Sequence, residues 1–288
     1  MDNLLAALSN ELAGAVRAAE ASVVAVHGRP RYGSSGVVWR PGTIVTAEHT
    51  LQEDEVNVTL PGGRSVAARV AGRDAGTDLA VLQLDGLDAP PAAAAPPAAL
   101  EPGRLAMVLG RTAETGINAT LGVLSAVGGE FRTWRGGVID RYVRLDVTLF
   151  PGTSGGLVIG SDGRALGIAT SALSRLAPIA ITAATVSRTV DEILAKGHVS
   201  RPYLGVGLQA VQLGVIVLSV EPGGPAEAAG LLVGDILQAL NGKTLADPAD
   251  VQAALAGHAP GAAVALRVLR GGNPVDVPVT LAERPRRS

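Results

Sequence analysis

Phe150-Pro151-Gly152-Thr153-Ser154-Gly155-Gly156-Leu157 sets the terms for the rest of the chain. A serine among glycines, just after a proline turn, is what a serine hydrolase needs at its nucleophile. Glycine adopts dihedrals closed to other residues and lets a substrate backbone come close. The amides of Gly152 and Ser154 can then point at one spot, where a tetrahedral intermediate develops negative charge. In a chain with 37 glycines, the same letters also describe an ordinary hairpin turn. A base and an orienting acid upstream separate the two readings.

Four histidines are candidates for the base. His27 is followed by Gly28-Arg29-Pro30 and reads as an exposed loop residue. His198 falls in a linker and His258 in a Gly/Ala/Pro loop, both solvated. His49 differs, because it directly follows the apolar run Ile44-Val45 in Gly42-Thr43-Ile44-Val45-Thr46-Ala47-Glu48-His49. A strand feeding a short turn holds a side chain rigidly, as general-base work requires. The acid that orients an imidazole is usually buried. Asp78 fits, since it opens the apolar run Leu79-Ala80-Val81-Leu82, whereas Asp74 reads as a turn residue and Asp85 and Asp88 as solvated loop residues. The order His49, Asp78, Ser154 is the chymotrypsin-like order.

At 288 residues the chain has room for about two domains. It is 47% hydrophobic but only 2% aromatic, so its cores are built from Val, Leu, Ile and Ala. A formal net charge of −2 argues against general attraction to nucleic acid or anionic membrane. There is no cysteine, which excludes disulfides and thiolate metal sites. No run of about 18 apolar residues is present, so no membrane span is expected. Residues 1–21 lack the basic leading region of a secretory signal. Leu4, Leu5, Leu8, Leu12, Val16 and Ala19 recur there at helical spacing. The compartment is left open: cytoplasmic as written, cell envelope or periplasm if a leader has been removed.

Short β-branched runs separated by turns fill residues 22–183, the pattern of an all-β sandwich or barrel pair. The Ala/Pro tract 89–100 reads as a loop. A helix is expected over 186–196, with Val186, Val190, Ile193 and Leu194 on one face and Gly197 past its end. The domains are therefore set as an N-terminal helix 1–21, a first domain 22–198, and a compact second domain 201–285.

Residues 43–51, 74–84 and 146–160 resemble the three catalytic blocks of the HtrA/Deg family of trypsin-like serine proteases. Tyr203-Leu204-Gly205-Val206, residues 214–220, and Gly223-Gly224-Pro225-Ala226-Glu227-Ala228-Ala229-Gly230-Leu231 resemble the PDZ domain that follows the protease there. The resemblance implies a mostly β fold, a chymotrypsin-like double β-barrel followed by a small PDZ domain. It implies His49 as base, Asp78 as orienting acid and Ser154 as nucleophile, with Gly152, Thr153 and Ser154 forming the oxyanion hole. Phe150, Ile168, Ala169 and Thr170 would border a small apolar substrate pocket. Tyr203, Leu204, Gly205 and Val206 would bind a peptide carboxylate, because backbone amides can cap a C-terminus while the adjoining strand edge pairs with its backbone.

The implied activity is cofactor-free and metal-free hydrolysis of unfolded or damaged proteins through an acyl-enzyme, with C-terminal peptides as partners of the PDZ groove. The alternative is a catalytically disabled scaffold acting as a binding protein or chaperone. Several positions depart from the family pattern: Ala47-Glu48 replaces Asn-Ala before the histidine, Phe150 replaces Asn before Pro-Gly, and Thr153 replaces the Asn before the serine. The loop 173–178 is short. The family's homotrimers are stitched by aromatic residues near the N-terminus, and residues 1–21 contain none. Leu4, Leu5, Leu8 and Leu12 would have to substitute, or the helix packs on its own barrel.

Overall fold

The computed structural model describes residues 3–29, 33–133, 135–200 and 202–283. The expected domain limits at residues 1, 201 and 285 lie outside them. The chain divides into two compact units, Met1–Val199 and Ser200–Ser288.

Helix α1 (Leu4–Ala19) opens the first unit, with Asn3 as its N-cap accepting a hydrogen bond from the Ala6 amide. The helical period places Leu12, Ala15, Val16 and Ala19 on one stripe that packs into the core. The first two turns overhang that contact, leaving Leu4 79%, Leu5 76% and Leu8 44% exposed.

Strands β1 (Val23–His27), β2 (Ser34–Arg40), β3 (Thr43–Ala47), β4 (Glu55–Thr59), β5 (Ser65–Asp74) and β6 (Leu79–Gln83) close into a barrel in the order β1-β2-β3-β6-β5-β4. Alternate side chains of a strand face opposite ways, and here both faces of β1, β2, β3 and β6 are covered. Val24, Val26, Val38, Ile44, Ala80 and Leu82 fill the barrel, while Val23, Val37, Val45, Leu79 and Val81 face outward into a second cluster. That double burial explains why these segments read as continuous apolar runs, while β4, with Val56 and Val58 inward and Glu55 and Asn57 exposed, alternates.

A second barrel follows, from β7 (Leu105–Thr112), β8 (Gly116–Val127), β11 (Val143–Asp146), β12 (Leu157–Gly160), β13 (Ala165–Thr170) and β14 (Ile179–Thr182), closed as β11-β14-β13-β12-β7-β8. The hairpin β9 (Phe131–Arg132) and β10 (Val138–Ile139) stands between β8 and β11. Met107, Leu109, Leu157, Ile159, Ile168 and Ile181 face outward into the same cluster as Val37, Val45 and Val81. One core therefore joins the two barrels.

Helix α2 (Ala183–Lys196) closes on that core through Val186, Val190 and Ile193, with Gly197 in the left-handed conformation at its C-cap. Leu194, expected on the buried face, is 38% exposed, and Thr189 is buried instead, because Leu194 sits about 100° around the helix from Ile193. The Ala/Pro tract is a loop, as its composition suggests, but a tethered one. The Ala92 amide donates to the Val38 carbonyl at 2.9 Å, the Ala95 amide to the Ala165 carbonyl at 2.8 Å, and the Ala165 amide to the Ala93 carbonyl at 2.7 Å.

The second unit is a sheet in the order β16-β17-β18-β20-β21, bordered by a short pairing of β15 (Pro202–Tyr203) with β22 (Ala282–Glu283). Its strands are β16 (Val206–Val211), β17 (Gly214–Val220), β18 (Ile236–Leu240), β20 (Ala263–Arg270) and β21 (Asn273–Thr280), with β19 (Lys243–Thr244) paired to β18. Two helices complete it, α3 (Pro225–Ala228) and α4 (Pro248–Leu255), the latter held by a reciprocal capping box between Asp247 and Asp250. Val251, Ala254 and Leu255 of α4 bury among Val215, Val217, Leu237, Leu266 and Val268. Strand β16 is one edge of the sheet. The other edge, β21, carries Pro274 and Pro278, which lack the N–H that a further strand would need.

Candidate active site

His49 and Asp78 meet because β3 and β6 are neighbours in register, Ala47 opposite Leu79. A single turn of 3-10 helix, Glu48–Thr50, follows β3 and carries His49. The chain enters β6 through a turn braced by Asp74, which accepts from the Gly76 amide at 3.0 Å and from the Thr77 hydroxyl at 2.6 Å. Asp74 is thus the turn residue its neighbours suggest, but a buried one, 4% exposed. Asp78 leaves that turn at φ +59°, a left-handed conformation that aspartate tolerates better than most residues.

The Asp78 carboxylate is completely buried. Its Oδ1 accepts from the His49 amide at 2.9 Å and faces His49 Nδ1 at 3.0 Å, while Oδ2 faces Nδ1 at 2.9 Å. Oδ2 also accepts the Thr170 hydroxyl. A carboxylate only accepts, so Nδ1 carries the proton and the lone pair of Nε2 is left for the substrate side. Both the position and the tautomer of the ring are fixed. Glu48, which puts a charge beside the base in sequence, faces Arg135 at 3.5 Å, and its amide donates to the Asp78 carbonyl at 3.0 Å.

The nucleophile turn lies against the first barrel. The Thr153 amide donates to the Phe150 carbonyl at 3.1 Å and Gly152 has φ +91°. With Pro151 ahead of it, this is the proline-glycine pattern of a type II turn. Thr153 is 2% exposed, and its hydroxyl also donates to Phe150. Gly155 must be glycine here, since a Cβ would fall 2.2 Å from the Ser35 carbonyl oxygen and 2.8 Å from the Ala47 nitrogen. This close approach brings Ser154 to the strand that feeds His49. Among the described residues, neither the Gly152 nor the Ser154 amide donates to any group of the chain.

The Ser154 hydroxyl pairs with Ser171 Oγ at 3.3 Å, and among the described residues no hydrogen bond joins it to His49. His49 and Asp78 are therefore engaged with each other while Ser154 stands apart from the base. The four residues expected to border a pocket divide. Phe150 is 59% exposed, but Ile168, Ala169 and Thr170 are fully buried. The Ile168 side chain belongs to the core between the barrels, that of Ala169 to the interior of the second barrel, and the Thr170 hydroxyl to Asp78. These three offer no surface, because β13 is covered on both faces. The exposed neighbour is Ser171, which carries no local signature that would single it out. The contact between Thr170 and Asp78 spans 92 residues and has no local signature either.

The other histidines are engaged elsewhere. His27 is not a free loop residue but ends β1, with Nε2 2.8 Å from the Thr59 hydroxyl. His258 is held between the Ala254 carbonyl and Asn241, both at 3.0 Å. His198 is half-buried, with Nδ1 3.0 Å from the Lys196 carbonyl.

In the second unit, Tyr203, Leu204 and Gly205 are buried and Val206 half-buried. The Gly205 carbonyl accepts from Glu221 and the Leu204 carbonyl from Ala226, both at 2.9 Å, while the Tyr203 hydroxyl donates to Glu221. Gly205 has φ +78°. Among the described residues, the Leu204 and Gly205 amides donate to no group of the chain. The loop is therefore pinned by its carbonyls while its amides stay available, next to the open edge of β16. Among the described residues no cluster of three or more His, Asp or Glu side chains could hold a metal ion, and no helix is long and apolar enough to cross a membrane.

The sequence matches the trypsin-like peptidase domain over residues 34–168 and the PDZ domain over residues 202–281. It is 32% identical over 283 residues to a probable periplasmic serine endoprotease, DegP-like, of Brucella suis, covering 90% of this chain and 54% of that one. A namesake from Chlamydia muridarum is 29% identical over 273 residues, 88% of this chain and 54% of the relative. The chain thus spans about half the length of the curated relatives it matches. Among solved structures, the serine endoprotease from Yersinia pestis is similar with a TM-score of 0.76 at 29% identity, covering 96% of this chain and 98% of the other. The HtrA-type protease AlgW with a tripeptide aligns with a TM-score of 0.72 at 26% identity, over 96% and 98%.

Proposed function

This chain belongs to the HtrA-type, DegP-like serine proteases, a trypsin-like peptidase domain with a PDZ domain, and on that premise we propose that it is a serine endopeptidase acting on unfolded or damaged proteins. The observation that carries this reading is the buried Asp78 carboxylate holding His49 at 2.9 Å beside a serine turn with two uncommitted amides. Ser154 turns from Ser171 toward His49 Nε2, which removes its proton as Oγ bonds to the scissile carbonyl carbon. The Gly152 and Ser154 amides, with Thr153 closing the turn between them, take the developing oxyanion. His49 then gives the proton to the leaving nitrogen as the C–N bond breaks, and Asp78 stabilises the imidazolium throughout. Water activated by the same imidazole releases the acyl group and restores Ser154. No step calls for a metal or organic cofactor.

The protease domain is assigned to residues 22–198 and the PDZ domain to 201–285, following the N-terminal helix 1–21. The pocket for the residue before the cut is placed between Phe150 and Ser171, around the end of Ile168-Ala169-Thr170, with those three as its rigid backing. The Leu204 and Gly205 amides, between Tyr203 and Val206, bind the terminal carboxylate of a peptide that pairs with the free edge of β16. The name given to the Brucella relative supports a place in the cell envelope or periplasm. A homotrimer is assigned to the exposed leucines of α1. No feature of the site favours the disabled scaffold.

The deciding experiment compares casein hydrolysis by the full chain and by Ser154→Ala. Removing such a nucleophile typically costs on the order of 10⁶ in turnover, so cutting should vanish with the variant. Equal cutting by both proteins, or by neither, refutes the reading.

A further inference from the structure

Ser35 has no part in the scheme above, yet every polar group it owns is committed around the nucleophile turn. It lies in β2 and is completely buried. Its hydroxyl donates to the Gly152 carbonyl at 2.6 Å, and the same oxygen accepts from the Arg111 amide at 2.9 Å. Its amide donates to the Ser154 carbonyl at 3.0 Å, and its carbonyl accepts the Thr46 hydroxyl at 2.6 Å. One residue thus grips the turn at both ends, Gly152 and Ser154, and is braced from behind by β7 and β3.

We propose that Ser35 is a positioning residue that preorganises the oxyanion-binding turn, which it does by fixing the Gly152 carbonyl and so the direction of the amides on either side. This rests on the reading of Ser154 as the nucleophile. The peptide joining Gly152 to Thr153 stands between the two donating amides. Its nitrogen is held by Phe150 and its oxygen by Ser35. Glycine at Gly152 imposes little restraint of its own. Without the Ser35 hydroxyl, the carbonyl loses its buried partner, and the peptide plane can rotate to find another, carrying the amides out of convergence. Electrostatic stabilisation of an oxyanion depends on donors already in place when charge develops, so the loss falls on the chemical step. Gly110 guards the same spot, since a Cβ there would lie 2.9 Å from Ser35 Oγ and 2.6 Å from Thr153 Cγ2.

The test uses the full chain as wild type, Ser35→Ala and Ser154→Ala, with a fluorogenic peptide, a fluorophosphonate probe and thermal unfolding. Direct removal of an oxyanion donor costs about 10²–10³ in kcat. For Ser35→Ala, acting one bond removed, kcat is expected to fall about 10–100-fold, with KM within about twofold, fluorophosphonate labelling slowed in parallel, and the midpoint lowered by about 2–4 °C. Unchanged kcat and labelling in a folded Ser35→Ala overturn the proposal, as does a loss of activity no larger than the unfolded fraction. If wild type and Ser154→Ala are equally inert, the nucleophile reading fails. The carbonyl-carbon resonance of Gly152 then decides for Ser35: a shift in Ser35→Ala supports the clamp, and an unmoved resonance overturns it.

Discussion

Replacing Thr170 with valine tests how much of the acid's function is supplied by a residue far from it in sequence. Valine keeps the shape and removes the hydroxyl that donates to Asp78 Oδ2. That carboxylate is completely buried and would retain only the donors from His49, at 2.9 and 3.0 Å. A hydrogen bond to a charged group contributes about 1.5–3 kcal/mol net. The Ala172 amide would also lose its acceptor, the Thr170 hydroxyl oxygen at 3.0 Å. A domain of about 150–250 residues loses roughly 2–4 °C in midpoint per kcal/mol, so the protease unit should melt about 3–12 °C lower. Turnover of a peptide substrate, measured well below the new midpoint, should drop about tenfold through kcat, as roughly 1.4 kcal/mol of the lost interaction is felt in the transition state. Thr170→Ser, which keeps the donor, should recover most of both losses. A Thr170→Val protein with the wild-type midpoint and kcat would refute the view that this bond holds the acid.

Two further outcomes are expected. The Asp235 carboxylate, 2% exposed, accepts from Arg270 at 2.8 and 2.7 Å and from the Leu232 amide at 2.9 Å. The Arg270 hydrogen bonds hold it below the ordinary carboxylate value, with burial opposing. Asp235→Asn should therefore destabilise the second unit by roughly 2–4 kcal/mol at neutral pH, less than the cost in a fully buried pair because Arg270 keeps water contact. Because the folded-state pKa is depressed, that contribution is complete above the ordinary carboxylate value and disappears as pH falls through the lower folded one. Denaturant unfolding of both proteins across acid pH should show the gap closing in that direction, and a pH-independent gap would contradict the assignment. For assembly, Leu5→Glu with Leu8→Glu on the exposed turns of α1 should convert a trimeric mass in solution to a monomeric one. A monomeric wild type removes that trimer.

The chain itself already determined much of this. Turn residues and β-branched runs located the strands, double burial in paired barrels produced the continuous apolar segments, and the order of His49, Asp78 and Ser154 pointed to the chemistry. These are local signals, carried by residues whose type answers to their own backbone. What only the tertiary structure decided is who stands beside whom. Thr170 donates to Asp78 across 92 positions, Ser154 faces Ser171 rather than His49, and Ser35 reaches Gly152 across 117 positions. A hydroxyl on a strand looks the same in sequence whether it meets water or a buried carboxylate. The closure of two barrels onto one core chooses its partner, because a buried polar group must pair with whatever the packing brings within reach.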